Sequence, residues 1–215
     1  MSSITFNKLP QEKQDRVLDA AAEEFAEHGF HQASMNRVVQ SIGIAKGSLF
    51  KYFGTKEGLF QSLFERSLNQ IKHKLKPLAE AEGSFFDRLG AVMLAGLEFI
   101  DRHPRLYRIY LKLLFQENAP LRTQLLSTVR SSSTKFLRPL LKQGIHSGEL
   151  RPDLDLETAV FLADTLLEHF LQAARVQGIN ATLFGLTPDQ ARPHIERMLD
   201  TLRQGFSAPT SSPTE

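Results

Sequence analysis

Apolar residues recur at spacings of three and four along nearly the whole chain, and no run of alternating β-branched residues bounded by a hairpin turn interrupts them. A period near 3.6 places such residues on one face of a helix, whereas a strand would throw half of them into solvent. The pattern therefore restricts the chain to an all-α fold. Glycine, proline and small polar residues then cut it into elements. A first helix is expected from about Gln11 to Glu27, with Val17, Leu18, Ala21, Ala22 and Phe25 on its apolar face and Gly29 as its stop. Ser34 is placed to cap a short second helix carrying Val38 and Val39. Gly43 breaks the pattern, a third short helix covers about Ala45 to Tyr52, and Thr55 caps a fourth that runs to about Leu75. Beyond Pro77 the expected helices are longer: Ser84–Arg102, one starting at Pro104, one from Pro120 to about His146 kinked or broken at Pro139, Leu156–Gln177, and Pro188–Phe206.

With 215 residues, 41% of them hydrophobic, the chain can bury a real core in one or two domains. Charged residues make up an ordinary 23%, which argues against wholesale disorder. The absence of cysteine excludes a disulfide framework and a thiolate metal site. The stretch Met1 to Asp15 is polar and no apolar run approaches the ~18 residues of a membrane span, so a soluble, cytoplasmic protein without membrane contact is expected. Net charge is only +2, but its distribution is uneven. No acidic residue lies between Glu27 and Glu57, while Arg37, Lys46, Lys51 and Lys56 do, a local basic patch.

Beneath that patch lie two short helices joined at a glycine-containing turn, the pattern of a helix-turn-helix. Val38, Ile42, Ile44 and Leu49 are spaced to pack the two helices together. This leaves Lys46, Gly47, Ser48, Lys51 and Tyr52 on the outer face of the third helix, where an α-helix inserted in a major groove presents its N-terminal residues to base edges. Gly47 would let the backbone approach a phosphate or base closely, and the start of the fourth helix at Thr55 and Lys56 offers free amides to a phosphate.

The string from Val17 to Phe30, VLDAAAEEFAEHGF, resembles the first helix and turn of the TetR family of bacterial transcriptional regulators, and Ile42 to Phe60, IGIAKGSLFKYFGTKEGLF, resembles that family's turn, recognition helix and fourth-helix start. The resemblance covers about residues 11 to 60. It implies an all-α homodimer: a helix-turn-helix domain over 1–54, a ligand-binding and dimerisation domain over 55–206, and a disordered tail over 207–215. It implies DNA contacts from Ser34, Ala45, Lys46, Gly47, Ser48, Phe50, Lys51, Tyr52 and Lys56, with Ser34 and Lys56 on phosphates. Phe50 stands where the family often has tyrosine, and Lys51 where it often has histidine. The partners implied are operator DNA, a small inducer and a second copy of the chain, with no cofactor or metal.

For the second domain the resemblance implies an apolar pocket, for which Phe99, Tyr107, Tyr110, Phe115, Phe136, Phe161 and Glu168 are candidates. An aromatic at helical spacing is more often simply core, and Glu168 in an apolar helix can equally face solvent or a partner. The helices over Leu156–Gln177 and Pro188–Phe206 resemble the pair that forms the family's dimer bundle. The expectation is thus a repressor that binds a palindrome and is released by a mostly apolar inducer. Two other readings compete with this one. An enzyme finds no phosphate-binding glycine loop, zinc-binding helix or nucleophile elbow in its favour. A non-specific architectural DNA protein is disfavoured by the near-neutral overall charge.

Overall fold

The computed structural model describes residues 4–116 and 118–206, and these form ten helices and no β-strand. In order they are α1 (Ile4–Asn7), α2 (Gln11–Gln32), α3 (Met35–Ile42), α4 (Lys46–Phe53), α5 (Lys56–Glu80), α6 (Phe85–Arg102), α7 (Pro104–Phe115), α8 (Arg122–His146), α9 (Leu156–Arg175) and α10 (Pro188–Phe206). The fold class is the all-α one that the 3.6-residue period required. The tail expected over 207–215 lies outside the described residues.

Three elements differ from expectation. Helix α1 was not foreseen. Helix α2 breaks at Gly29 (φ 69°, ψ 178°) as expected, but then makes a further turn to Gln32. Helix α8 runs through Pro139 as one element, so of the expected kink or break the break does not occur. Proline at 139 removes one backbone donor, and the acceptor it would have used, on Lys135, belongs to an exposed residue, so water can replace the bond.

The chain folds into two compact units that interleave along the sequence. The first comprises Met1–Ile71 and Arg102–Val129, the second Lys72–Asp101 and Arg130–Glu215. This differs from the linear boundary expected at 54/55, because α7 and the start of α8 return to the helix-turn-helix unit. The core of that unit holds Leu18, Phe25, Val38, Leu49 and Phe60 from the N-terminal segment together with Ile109, Leu113, Ala119 and Leu125 from the returning one. Burying each large apolar side chain stabilises by roughly 1.5–3 kcal/mol, so the returning residues are a substantial part of this core.

The second unit packs Phe85, Leu89, Met93 and Leu97 of α6 against Leu137, Leu140 and Leu141 of α8, Phe170 of α9 and Ile195 of α10. The N-termini of α6 and α9 are closed by side chains. Ser84 Oγ accepts from Asp87 N at 3.0 Å while Asp87 Oδ2 accepts from Ser84 N at 3.2 Å. Asp155 Oδ1 accepts from Thr158 N at 2.8 Å. No helix among the described residues is long and apolar enough to cross a membrane.

Candidate nucleic-acid interface

Helix α2 supplies the floor of the site. Val17, Leu18, Ala21, Ala22, Phe25 and Ala26 are all buried along one side of it. Helix α3 lays Met35, Val38 and Val39 on that floor, and α4 adds Leu49 and Phe53. The turn between α3 and α4 depends on Gly43, which takes φ 70° and ψ 35°, a left-handed conformation that costs other residues, while its N–H closes α3 on Val39 O.

With Leu49 and Phe53 turned inward, α4 presents Lys46, Gly47, Phe50 and Lys51 to solvent, with Ser48 and Tyr52 at its partly buried flanks. Phe50 is 38% exposed and lies beneath the Lys46 ammonium, 6.0 Å from Nζ to ring centroid. Ala45 stands at the N-cap with extended backbone and no side-chain cap, so no side chain occupies the first amides of α4. Gly47 is the most informative position. A Cβ built there would meet nothing within 4 Å, so internal packing does not require glycine. Glycine nevertheless costs a helix roughly 0.5–1 kcal/mol relative to alanine. Nothing within the chain therefore accounts for a glycine on this exposed, cationic face.

The two positions expected to hold phosphate are both engaged within the fold. Ser34 caps α3, its Oγ accepting from Arg37 N at 3.4 Å, while its own N–H donates to Glu24 Oε1 at 2.6 Å. Only its hydroxyl hydrogen is left for a phosphate. Lys56 Nζ donates to Ala33 O at 2.9 Å and His31 O at 3.1 Å and lies 4.8 Å from the centre of the Phe30 ring. Two of its three hydrogens thus fasten the start of α5 to the turn between α2 and α3. Glu24 of α2, only 7% exposed, fastens the turn as well, since besides Ser34 N–H it accepts from Arg37 Nε (3.0 Å) and Arg37 Nη2 (2.5 Å). Burial pushes the Glu24 carboxyl up, but the Arg37 and Ser34 hydrogen bonds and the charges of Arg37 and His28 together outweigh it and hold it below the ordinary value of 4.5. Sequence reading missed this pair because Glu24 and Arg37 lie thirteen residues apart on different helices. The one available signal was an acidic residue set directly beside Phe25 on the apolar side of α2.

The expected ligand candidates fall in both units. Tyr107, Tyr110 and Phe115 belong to α7 in the first, Phe99, Phe136, Phe161 and Glu168 to the second. The Tyr107 and Tyr110 rings stack at 6.2 Å, and Phe99 and Phe136 are partly buried. Phe115 and Phe161 are each 67% exposed and line no enclosed space within their own units. Phe115 sits two residues, about 200° of helix rotation, beyond buried Leu113, and Phe161 follows buried Ala159 and Val160 onto the opposite side of α9. Glu168 forms an ion pair with Arg130, which also binds Asp164 at 3.0 Å. Gln172 Nε2 donates to Glu168 at 3.1 Å. Glu168 is thus part of a polar seam between α8 and α9, while its neighbour His169 is exposed. Among the described residues no group of three or more histidines and carboxylates is arranged to hold a metal ion.

Comparison with known proteins covers most of the chain. The model of bacterial regulatory proteins of the tetR family matches residues 17–63, and that of the tetracyclin repressor-like C-terminal domain matches residues 84–207. The chain is 27% identical over 152 residues to the fatty acid metabolism regulator protein of Bacillus subtilis, covering 71% of this chain and 78% of the relative. A TetR family transcriptional regulator from Chloroflexus aurantiacus superposes with a TM-score of 0.68 at 28% identity over 96% of this chain and 98% of its own. The regulator FadR from Bacillus subtilis, solved in complex with stearoyl-CoA, shares the fold at 20% identity with a TM-score of 0.73, over 86% and 96% of the two chains. The helix-turn-helix with its outward cationic helix, and the all-helical second unit, are those of the TetR family of bacterial regulatory proteins, to which this chain belongs.

Proposed function

We propose that the protein is a ligand-responsive repressor that binds a palindromic operator as a homodimer, with α4 as the helix that enters the major groove. The observation that carries this reading is the outer face of α4: an exposed lysine pair, Lys46 and Lys51, around a glycine that the fold itself does not need. Phosphate contacts fix register and base contacts select sequence. Ser34, Ala45 and Ser48 take the first role through their hydroxyls and the uncapped amides of α4. Lys46, Gly47, Lys51 and Tyr52 take the second, with Phe50 offering its ring edge to a thymine methyl. Lys56 acts mainly as a buttress that holds the turn carrying Ser34.

The second copy docks on α9 and α10. Phe161 (67% exposed) and Leu162 (41%) form an apolar step on α9 that a single chain leaves in water. Covering it in a symmetric pair would set two recognition helices one DNA turn apart, ~34–36 Å. The inducer is a mostly apolar small molecule. Because a related fold is solved with stearoyl-CoA, a long acyl chain is the first ligand to try, with Phe99, Phe136 and Glu168 of the second unit as the candidates to meet it. Release then follows from unequal ligand affinity for two conformations, only one of which fits the operator.

The test is selection of duplexes from a random pool, followed by titration of the winner with and without acyl-CoA. A regulator should prefer its operator to random DNA by roughly 10³ or more. Enrichment of no duplex would refute operator reading, and an operator affinity unmoved by every apolar ligand tried would refute the induction step alone.

A further inference from the structure

The segment ahead of α2 is polar and short, yet one residue in it is almost wholly buried. Phe6 is 3% exposed, while its neighbours Ile4, Thr5 and Asn7 are exposed. Its ring lies 4.6 Å from that of Phe53 and 5.6 Å from that of Tyr52, both on α4. Tyr52 is thereby flanked by Phe6 on one side and by Phe53, edge-on at 6.3 Å, on another. The segment is tied down at its far end, since Gln14 Nε2 donates to Leu9 O at 2.9 Å and to Asn7 O at 3.3 Å. Leu9 packs against the same core. Residues 4 to 9 therefore form a strap from the start of α2 to the C-terminal turn of α4.

We propose that Phe6 is a positioning residue for operator recognition, acting through Tyr52. Aromatic side chains have few rotamers, and a ring held between two others loses most of those that remain. A tyrosine fixed in this way presents its hydroxyl and ring edge to DNA without the ordering cost that a free side chain incurs on binding. The proposal rests on α4 being the recognition helix, and the test separates the two claims.

The experiment uses the full-length chain and the duplex selected by the wild-type protein. Phe6→Ala, Phe6→Leu, Tyr52→Ala and the Phe6→Ala/Tyr52→Ala double variant are titrated against that duplex, its single-base variants and random DNA, with thermal melts alongside. Phe6→Ala is expected to weaken operator binding about fivefold to tenfold while leaving random DNA within about twofold. It should relax preference at the same base pairs as Tyr52→Ala. Added to Tyr52→Ala, it should cost less than about twofold more, because the residue it acts through is already gone. Phe6→Leu keeps apolar volume without the ring, so it should melt near wild type yet relax the same base pairs. A loss that persists in full in the Tyr52→Ala background, or is equal on random DNA, assigns Phe6 a merely structural role and overturns the proposal. So does unchanged binding by Phe6→Ala, or failure of both Phe6 variants to fold. If Tyr52→Ala itself binds as wild type, the Phe6–Tyr52 link falls while operator reading stands. If the wild-type chain enriches no duplex, operator reading fails and the proposal falls with it.

Discussion

Replacing Gly47 with alanine should stabilise the protein and impair it. In its own helix the change is favourable, since alanine restricts the unfolded chain and suits the helical backbone, a gain of roughly 0.5–1 kcal/mol in a helix interior. Gly47 is the second residue of an eight-residue helix, so the lower bound is the appropriate figure. The added Cβ meets no atom within 4 Å, so no clash offsets the gain. For a chain of this size each kcal/mol moves the melting temperature by about 2–4 °C, which gives a rise of about 1–2 °C. Against DNA the same methyl group stands on the face that must seat in the groove. Overfilling a close-packed contact by one methyl costs typically 1–3 kcal/mol, about a 5- to 150-fold loss of operator affinity. The pair of measurements is a circular dichroism melt and fluorescence anisotropy on a labelled operator. A variant that melts higher and binds more weakly satisfies the argument. One that binds as wild type shows that nothing approaches Gly47 closely, and one that melts lower shows that the space beside it does not admit a methyl group.

Glu24→Ala removes the acceptor for Ser34 N–H at the start of α3. A hydrogen bond to a charged group contributes about 1.5–3 kcal/mol, and the half-exposed Arg37 guanidinium adds little to this because solvent screens it, so thermal melting should fall by roughly 3–12 °C. The same carboxyl sets an acid limit. Its folded value lies below the ordinary 4.5, so its stabilisation is complete above 4.5 and is lost as pH falls through the lower folded value. Melts between pH 6 and 3 should show a steeper decline for wild type than for Glu24→Gln, and parallel curves would contradict the assignment. Lys56→Met keeps the apolar stem but loses the bonds to His31 O and Ala33 O. It should cost about 1 kcal/mol of stability and leave the salt dependence of operator binding unchanged, whereas a slope smaller by about 1 would return Lys56 to the phosphate contacts.

The helix-turn-helix was legible because its signals are local. Gly43 breaks the period where a left-handed residue is needed, and Val38 and Leu49 repeat at the spacing that buries them. Gly58 was legible only as part of a familiar string. The structure supplies its reason, since a Cβ there would lie 2.1 Å from Phe53 O. What escaped the sequence was of three kinds. Helix α1 has four residues, too few to show a period, so buried Phe6 looked like part of a polar lead. The Glu24–Arg37 pair joins two helices at no regular spacing. The aromatic ligand candidates were chosen by residue type, and type does not say which side of a helix a ring occupies. Counting from Leu113 to Phe115 would have placed that ring outside.

The interleaving of the two units follows from the same physics. Helices α2 to α4 bury their inner faces well, but α2 has a further side that needs a cover, and α7 provides it. Ile109 and Leu113 are 3% and 0% exposed against this core. Polar bonds flank them: Arg105 pairs with Glu23 at 2.7 Å, Lys112 Nζ donates to Glu27 O at 3.2 Å, and the His31 ring meets Asn118 O at 3.2 Å. Along α2, therefore, Glu23 and Glu27 face α7 while Glu24, between them, holds Ser34 and Arg37 at the start of α3. A displacement of α7 must either carry α2 along or uncover large apolar side chains at roughly 1.5–3 kcal/mol each. Helix α2 anchors α3 through Glu24, and α3 meets α4 across the Gly43 turn, so α7 is joined to α4 through packed elements.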